Sequence, residues 1–486
     1  MDTDLLSDTQ ELPLQVDRAT DQRLQLFIEG LVRQQDKSYA TFTFPVQEIE
    51  PLMLLQESWN EQQFRYYWEK PSDNFAIAAG DTLVQLSASG PSRFADIISQ
   101  QQALQNATAS FSSVYHSRAG LMFLGGFSFF SRLETADWDS FEAASLTVPR
   151  WFILKDGDHY SATLSLQLPD FQSRNEIYEE VTGRLRSLNR QMTSASDSPS
   201  SPVIARKNTD PFPAIPLKLG FEAWISSVKQ AKKQIRQETF DKIVLARRLS
   251  VARKNTAPVT KLLDHLRRRY ENCSCFLVHP PGGQSFVGAT PEQLIAFEDN
   301  LLQTEALAGS IERGKTAMED LTLAKDLSIS TKNRNEHQFV VQDIEQRLRP
   351  FARSIRHSSQ PQVKKLSNVQ HLYTPIQADL KPEATVLSVL EKLHPTPAVG
   401  GYPWHKAAPY IRELEDFERG WYAGPVGWVD ASGSGEFAVA IRSGLIGEEQ
   451  VHFFAGCGIV EDSDPQTEWE ETNLKLKPML SALQYD

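Results

Sequence analysis

The sequence predicts an α+β fold, antiparallel sheet with helices packed outside it, and three observations carry that prediction. Strand-like runs are grouped apart from helical stretches instead of alternating with them, which disfavours a doubly wound parallel sheet. The runs are short and separated by turn residues, as in YATFTFPV, QFRYYWEK, FAIAAG, LGGFSFF and TVPRWFILK. A break rich in Ser and Pro, without apolar periodicity, runs from Met192 to Pro216 and divides the chain.

The break gives three parts: an N-terminal α+β subdomain at 1–192, a linker at 193–216 and a C-terminal domain at 217–486. After the linker the pattern predicts a helix from about Leu219 to Thr239, the strand DKIVLARRLSV, another helix, and short strands from Cys275 to Gly309. A long helical segment from about Thr316 to Phe351 follows, then strands around LSNVQHLYTPIQADL and a Gly/Pro-rich loop, LHPTPAVGGYP. Three strands, YAGPVGWVD, GEFAVAIRSGLI and VHFFAGCGI, precede a closing helix from Asp464 to Leu483.

Composition narrows the function. The 486 residues are 40% hydrophobic and 23% charged, ordinary for a globular protein. A formal net charge of −12, with no run of Lys and Arg, argues against nucleic-acid or membrane partners. Such a chain can still bind an anion, provided it has a metal ion, an arginine or a set of backbone N–H groups to do so. Cys273, Cys275 and Cys457 fit neither a zinc site nor a disulfide framework, which points to a reducing compartment. With no apolar span and an acidic N-terminus unlike a leader, the expectation is a cytoplasmic protein.

Chemistry is sought first in the closing helix. Glu468, Glu471 and Lys475 fall at i, i+3 and i+7 and share a face, either as a solvated charged stripe or as part of a site. The preceding AGCGIVEDSDP places Gly456 and Gly458 at a strand end, where backbone N–H groups can approach a carboxylate. Glu336, in KNRNEHQFVVQDIEQ, shares a helix side with Phe339, Val340 and Ile344. If Glu336 and Glu471 converge, two carboxylates plus waters make the oxygen-rich setting that Mg²⁺ prefers, and zinc does not. The adjacent His337 is expected to be a packed histidine, not a ligand.

Two strands add candidates. Period-2 alternation in GEFAVAIRS sets Ala438, Ala440 and Arg442 on one face, leaving space beside an arginine; an exposed edge arginine is the other reading. In DKIVLARR both faces are apolar, so Lys242 enters a buried strand and either snorkels outward or is functional.

In order, the blocks FDKIVLARR, SFVGATPEQLI, TEALAGSIERG, KNRNEHQFVVQDI, LHPTPAVGG, ERGWYAGPVGWVD, GEFAVAIRS and AGCGIVEDSDPQTEWEETNLK resemble the chorismate-utilising enzymes, a family that includes anthranilate synthase component I, aminodeoxychorismate synthase, isochorismate synthase and salicylate synthase. The resemblance is strong from about Phe221 to Tyr485, and it implies an anthranilate synthase component I-like fold, two antiparallel β-sheets packed as a sandwich with helices outside. It makes 217–486 the chorismate-binding catalytic domain.

Residue by residue, the resemblance implies the isochorismate synthase branch. Lys242 stands where amine-forming relatives usually carry Gln, so no glutaminase partner is expected. Ala308, in ALAGS, replaces the covalent lysine of a PIKGT motif, and LHPTPAVGG resembles the isochorismate branch. Salicylate synthase, which goes on to eliminate pyruvate, and an ammonia-using anthranilate synthase component I are the alternatives. The mechanism implied is a double-ended displacement in which Lys242 takes a proton from water attacking carbon 2 and Glu292 protonates the hydroxyl leaving carbon 4. Lys242 must then be partly neutral and Glu292 partly protonated, and burial favours both.

The resemblance also implies Mg²⁺ held by Glu336 and Glu471, with Glu468 acting through water, against the ring carboxylate beside the N–H groups of Gly456 and Gly458. Arg442 and Tyr422 would hold the enolpyruvyl carboxylate, Gly309 would approach by its backbone, and Lys475 matches a family lysine near the metal carboxylate. Asn333 departs from relatives that are acidic there, which implies altered Mg²⁺ affinity at most. The implied assembly is a monomer or weak homodimer, and the implied setting is menaquinone or phylloquinone biosynthesis.

Overall fold

The computed structural model of the chain describes residues 13–31, 33, 36–114, 118–197, 220–253, 258–365 and 369–483. Among these, twenty strands form one hydrogen-bonded ladder that folds into two layers. The layers part at Ala144–Asp156, whose last residues pair with His159–Gln167 and whose first pair with Met122–Phe127. From there one layer runs through Phe75–Ala88, Arg65–Lys70, Ser274–His279, Ser285–Thr290, Ser443–Ile446 and Gln450–Ile459 to Lys242–Ala252. The other runs through Pro425–Asp430, Gly435–Val439, Gln293–Glu298 and Leu301–Glu312 to Val369–Leu380. Every pairing in both runs is antiparallel; Tyr39–Pro45 with Thr108–Ser112 is parallel.

Successive side chains of a strand point to opposite faces, and both faces of the first layer are buried. Tyr66, Trp68, Phe276 and Phe286 face the second layer, joining Phe123, Trp428 and Phe437 in one core. The Tyr66 hydroxyl crosses the gap and donates to the Gly427 carbonyl at 2.8 Å. Their neighbours Tyr67, Leu277 and Val287 face the other way, into a second core with Val181, Leu263 and Met479 from the helices Arg174–Asp197, Val259–Arg269 and Pro465–Leu483. Helices Arg93–Asn106, Thr331–Leu348 and Val386–Leu393 add Phe94, Val340 and Leu390 to the first core. None of the described helices is long and apolar enough to cross a membrane.

The two halves of the chain share both layers, because Arg65–Lys70 pairs with Ser274–His279 and Met122–Phe127 with Pro425–Asp430. Composition marks the Ser/Pro-rich break but carries no information on which distant strands pair. The helix Arg174–Asp197 continues five residues into the 193–216 stretch, and residues 198–219 lie outside the described residues.

Two elements differ from the sequence reading. The 316–351 segment is two helices, Ala317–Ile329 and Thr331–Leu348, because Ser330 leaves helical geometry and its hydroxyl accepts from the Asn333 N–H at 3.3 Å, an N-cap. GEFAVAIRSGLI is also two strands, Gly435–Val439 in one layer and Ser443–Ile446 in the other. The chain turns a corner between layers there, with Arg442 at φ +51°, so period-2 alternation does not run through Arg442.

Candidate active site

One cavity, at the end of the Lys242–Ala252 strand, is lined by Lys242, Glu292, Gly309, Glu336, Tyr422, Arg442, Gly456, Gly458, Glu471 and Lys475. Of the site residues expected from the sequence, Glu468 alone is absent from this wall. The cavity holds about 90 Å³, room for several heavy atoms, since one water takes ~10–15 Å³. Lys242, Arg419, Arg442 and Lys475 line it together with Glu292, Glu336 and Glu471, so its lining does not share the acidity of the whole chain.

Lys242 opens its strand and is buried, its Nζ donating to Glu336 Oε1 at 2.7 Å. Burial pushes the Glu336 carboxyl up, but Lys242, with Lys475 and Lys332, outweighs it and holds the group below its ordinary value. The stem of Lys242 lies across Gly458, where a Cβ would stand 2.7 Å from Lys242 Cε. Any larger residue at 458 would therefore displace the amine.

The register also fixes where the glycine N–H groups point. Gly458 lies opposite Val244 and Gly456 opposite Ala246. Val244 N–H donates to the Gly400 carbonyl at 3.0 Å and Ala246 N–H to Glu415 Oε1 at 2.7 Å, both away from the glycine strand. In an antiparallel pair, opposed residues turn their N–H groups both toward or both away from each other. The N–H groups of Gly456 and Gly458 therefore point to the far edge of their strand, and the Gly456 carbonyl on that edge accepts from Lys475 Nζ at 2.9 Å.

Glu292 sits in the two-residue link between strands Ser285–Thr290 and Gln293–Glu298. Its carbonyl accepts from Val439 N–H at 3.0 Å and its N–H donates to Thr290 Oγ1 at 3.3 Å. Burial, reinforced by the Glu305 carboxylate, pushes the Glu292 carboxyl up to about 7 against the pull of Lys475, Lys364 and Arg442. A carboxyl so placed carries its proton for a large fraction of the time near neutrality.

Arg442 and Tyr422 form another part of the wall, both buried. Burial pulls the Arg442 guanidinium below its ordinary value and pushes the Tyr422 phenol well up, so the phenol keeps its proton. The Tyr422 ring stacks on Phe454 at 5.1 Å. Gly309 lies at a bulge with φ +77°, a conformation in which a side chain is strained, and a Cβ there would meet Asn333 at 3.1 Å. His371, which sequence reasoning missed, also lines the cavity. Its Nδ1 is 2.8 Å from Ser310 Oγ, and burial, then Arg442 and Lys475, push it down to about 3, so it is neutral. His337 is buried away from the wall with Nε2 2.8 Å from Thr374 Oγ1, pushed down by burial to about 4.

Glu336 and Glu471 do reach one cavity, from different helices. Glu471 Oε1 is 2.6 Å from Lys475 Nζ. Glu468, one turn earlier, is buried behind the wall, and its carboxyl is pushed up by burial and by Glu471. The helix turns residue 468 toward Cys457 and Ser463 instead of the cavity. Among the described residues no group of three His, Cys, Asp or Glu side chains forms a metal cage. Two cavity carboxylates nonetheless suit Mg²⁺, which takes one or two protein carboxylates and fills its shell with water and substrate oxygen.

Arg419 is another wall residue the sequence reading missed. With Glu415 it forms an ion pair whose side chains are 1% and 3% exposed. Arg419 donates to the carbonyls of Val244 and Val399 at 2.8 Å, Glu415 accepts from Ala246, and the guanidinium lies 4.2 Å over Phe129. The pair thus caps the edge of the strand that begins at Lys242. Arg419→Met leaves a buried carboxylate without its partner, and chemical denaturation is expected to show a loss of about 3–5 kcal/mol. An unchanged midpoint would mean that Glu415 finds another partner.

The family model described as chorismate binding enzyme matches residues 25–484, and the chain belongs to that family. Among its relatives, isochorismate synthase MenF of Bacillus subtilis is 34% identical over 426 residues, covering 86% of this chain and 88% of that protein. The salicylate biosynthesis isochorismate synthase of Pseudomonas aeruginosa is 36% identical over 441 residues, covering 90% and 89%. Solved structures share the fold. The menaquinone-specific isochorismate synthase MenF from Escherichia coli superposes with TM-score 0.72 at 24% identity, over 95% of this chain and all of that one. Anthranilate synthase component I from Streptococcus pneumoniae superposes with TM-score 0.65 at 20% identity, over 84% and 92%.

Proposed function

We infer that the chain is an isochorismate synthase, converting chorismate to isochorismate. The observation that carries this is the meeting of a lysine, Lys242, and a proton-bearing carboxyl, Glu292, on the wall of one cavity whose other groups suit a dianion. In this reading water adds to carbon 2, the ring double bonds shift, and the carbon 4 hydroxyl leaves as water, so the sum is an isomerisation. Lys242 takes the proton of the attacking water, exchanging its contact with Glu336 for that water. Glu292 gives its proton to the departing hydroxyl.

Arg442 and Tyr422 hold the enolpyruvyl carboxylate, and the N–H groups of Gly456 and Gly458 the ring carboxylate, with the Gly309 backbone against the ring. Glu336 and Glu471 would hold Mg²⁺, with Glu468 acting behind them through water and Lys475 balancing their charge; the bound cation supplies electrostatic grip on the ring carboxylate. Ala308 leaves no amine where a covalent mechanism needs one. Menaquinone biosynthesis is the setting we assign, by likeness to the menaquinone-specific MenF from Escherichia coli and to MenF of Bacillus subtilis.

The test is product analysis with chorismate and Mg²⁺, run with and without added ammonia. Isochorismate is the expected product. An immediate rise of salicylate fluorescence would make the chain a salicylate synthase, and anthranilate formed only with ammonia would move it to the amine-forming branch.

A further inference from the structure

Behind Glu292 lies an ion pair that the mechanism above does not use. Glu305, on the strand Leu301–Glu312, is 7% exposed and bonded to Lys364 Nζ, on the strand Gln362–Lys365, at 2.9 and 3.1 Å. The Lys364 side chain is 25% exposed, and a partly buried pair of this kind adds little net stability, so its use is to be sought in what it touches. Glu305 Oε1 accepts from the Gln293 N–H at 3.1 Å, and Lys364 Nζ donates to the Pro291 carbonyl at 3.3 Å. These are the peptide groups on the two sides of Glu292.

We propose that the Glu305–Lys364 pair is the positioning device of the acid: it clamps the chain on both sides of Glu292 and sets the charge around its carboxyl. Glu292 has no element of its own to hold it, since it lies in a two-residue link. The pair supplies rigidity from two other strands, and its two members act on the Glu292 proton in opposite senses. The other charged groups acting on Glu292 are Arg442, at the corner between layers, and Lys475, from the closing helix. His371, on the adjacent strand, is neutral, and Lys242, Glu336, Arg419 and Glu471 complete the charged wall. None of these changes in the test below.

The inference rests on Glu292 being the acid, and the experiment separates the two. The pH dependence of kcat/KM reports the groups of the free enzyme. Activity that needs protonated Glu292 is lost as pH rises through about 7. Glu305→Gln keeps an acceptor for the Gln293 N–H but removes the negative charge, so this limb is expected to move to lower pH by about 1 unit. Lys364→Met removes the positive charge, and the limb is expected to move to higher pH by a similar amount. Lys364→Arg keeps the charge and should leave the limb in place.

Opposed shifts from two halves of one pair are not what a structural role produces, since a loosened clamp lowers the profile without moving its limb. Limbs that stay put, or move the same way, would overturn the proposal. If the limb survives in the residual activity of Glu292→Gln, the acid itself has been misassigned and the proposal falls with it. Should a variant turn over too slowly for a profile, infrared titration of the Glu292 carboxyl band, identified by its absence in Glu292→Gln, reads the same opposed shifts directly.

Discussion

Alanine in place of Lys242 is expected to cut turnover by about 10²–10⁴-fold, the range a positioned proton acceptor contributes, with chorismate binding largely retained. The amine is buried, set by the start of its strand, and its stem fits against Gly458. The described cavity groups that could take over are engaged: His371 is neutral but bonded to Ser310, and Lys475 is tied to Glu471 and the Gly456 carbonyl. An objection is that Lys242 serves only to neutralise Glu336, its partner at 2.7 Å. Lys242→Arg separates the two, because a guanidinium keeps its proton yet still pairs with a carboxylate. Rescue by arginine, or near-normal turnover of the alanine variant, would remove Lys242 from the base role. Chorismate binding measured by calorimetry in the presence of Mg²⁺ shows whether the loss lies in turnover or affinity.

How much of this was legible in the sequence depends on how local each determinant is. The Lys242 strand could be read because its apolar residues are consecutive, and the closing helix because Glu468, Glu471 and Lys475 repeat at helical spacing. The same spacing could not say that Glu471 faces the cavity while Glu468 turns inward, since a helix face is only a direction until something packs against it. Arg442 defeated period-2 reasoning because the chain changes layers at residues 440–442, and alternation holds only within one strand. The role of Glu292 came from resemblance alone, as a carboxyl in a two-residue link has no periodicity to betray it.

Arg419 illustrates the opposite failure. Glu415 and Arg419 stand four apart, a spacing that ordinarily marks an exposed helix pair worth a few tenths of a kcal/mol. Here the segment leaves the helix Trp404–Leu414 and enters the core between the Lys242 strand and Phe129, so the same two residues become a buried clamp. The Glu305–Lys364 pair spans 59 residues, and only the pairing of both strands with Val369–Leu380 brings its members together. Sheet partners of this kind are set by tertiary packing, not by neighbouring sequence.

Glutamine at position 471 is expected to raise the Mg²⁺ concentration needed for half-maximal activity by at least ~10–100-fold, the loss already seen when residues merely supporting a metal ligand are removed. The argument begins with charge. Glu471 and Glu336 reach the cavity from separate helices, and each is held by a lysine, Lys475 at 2.6 Å and Lys242 at 2.7 Å. Two like-charged groups at one cavity favour a cation between them, and a neutral amide in place of either halves the formal charge it meets. Glu468 cannot substitute readily, since its carboxyl is buried behind the wall and pushed toward its protonated form. Excess Mg²⁺ should therefore restore part of the turnover in Glu471→Gln, whereas it should restore none in Lys242→Ala, whose defect lies in proton transfer. A Mg²⁺ titration of Glu471→Gln that overlays the unaltered protein's would take residue 471 out of the ligand set and leave Glu336 to be tested in the same way.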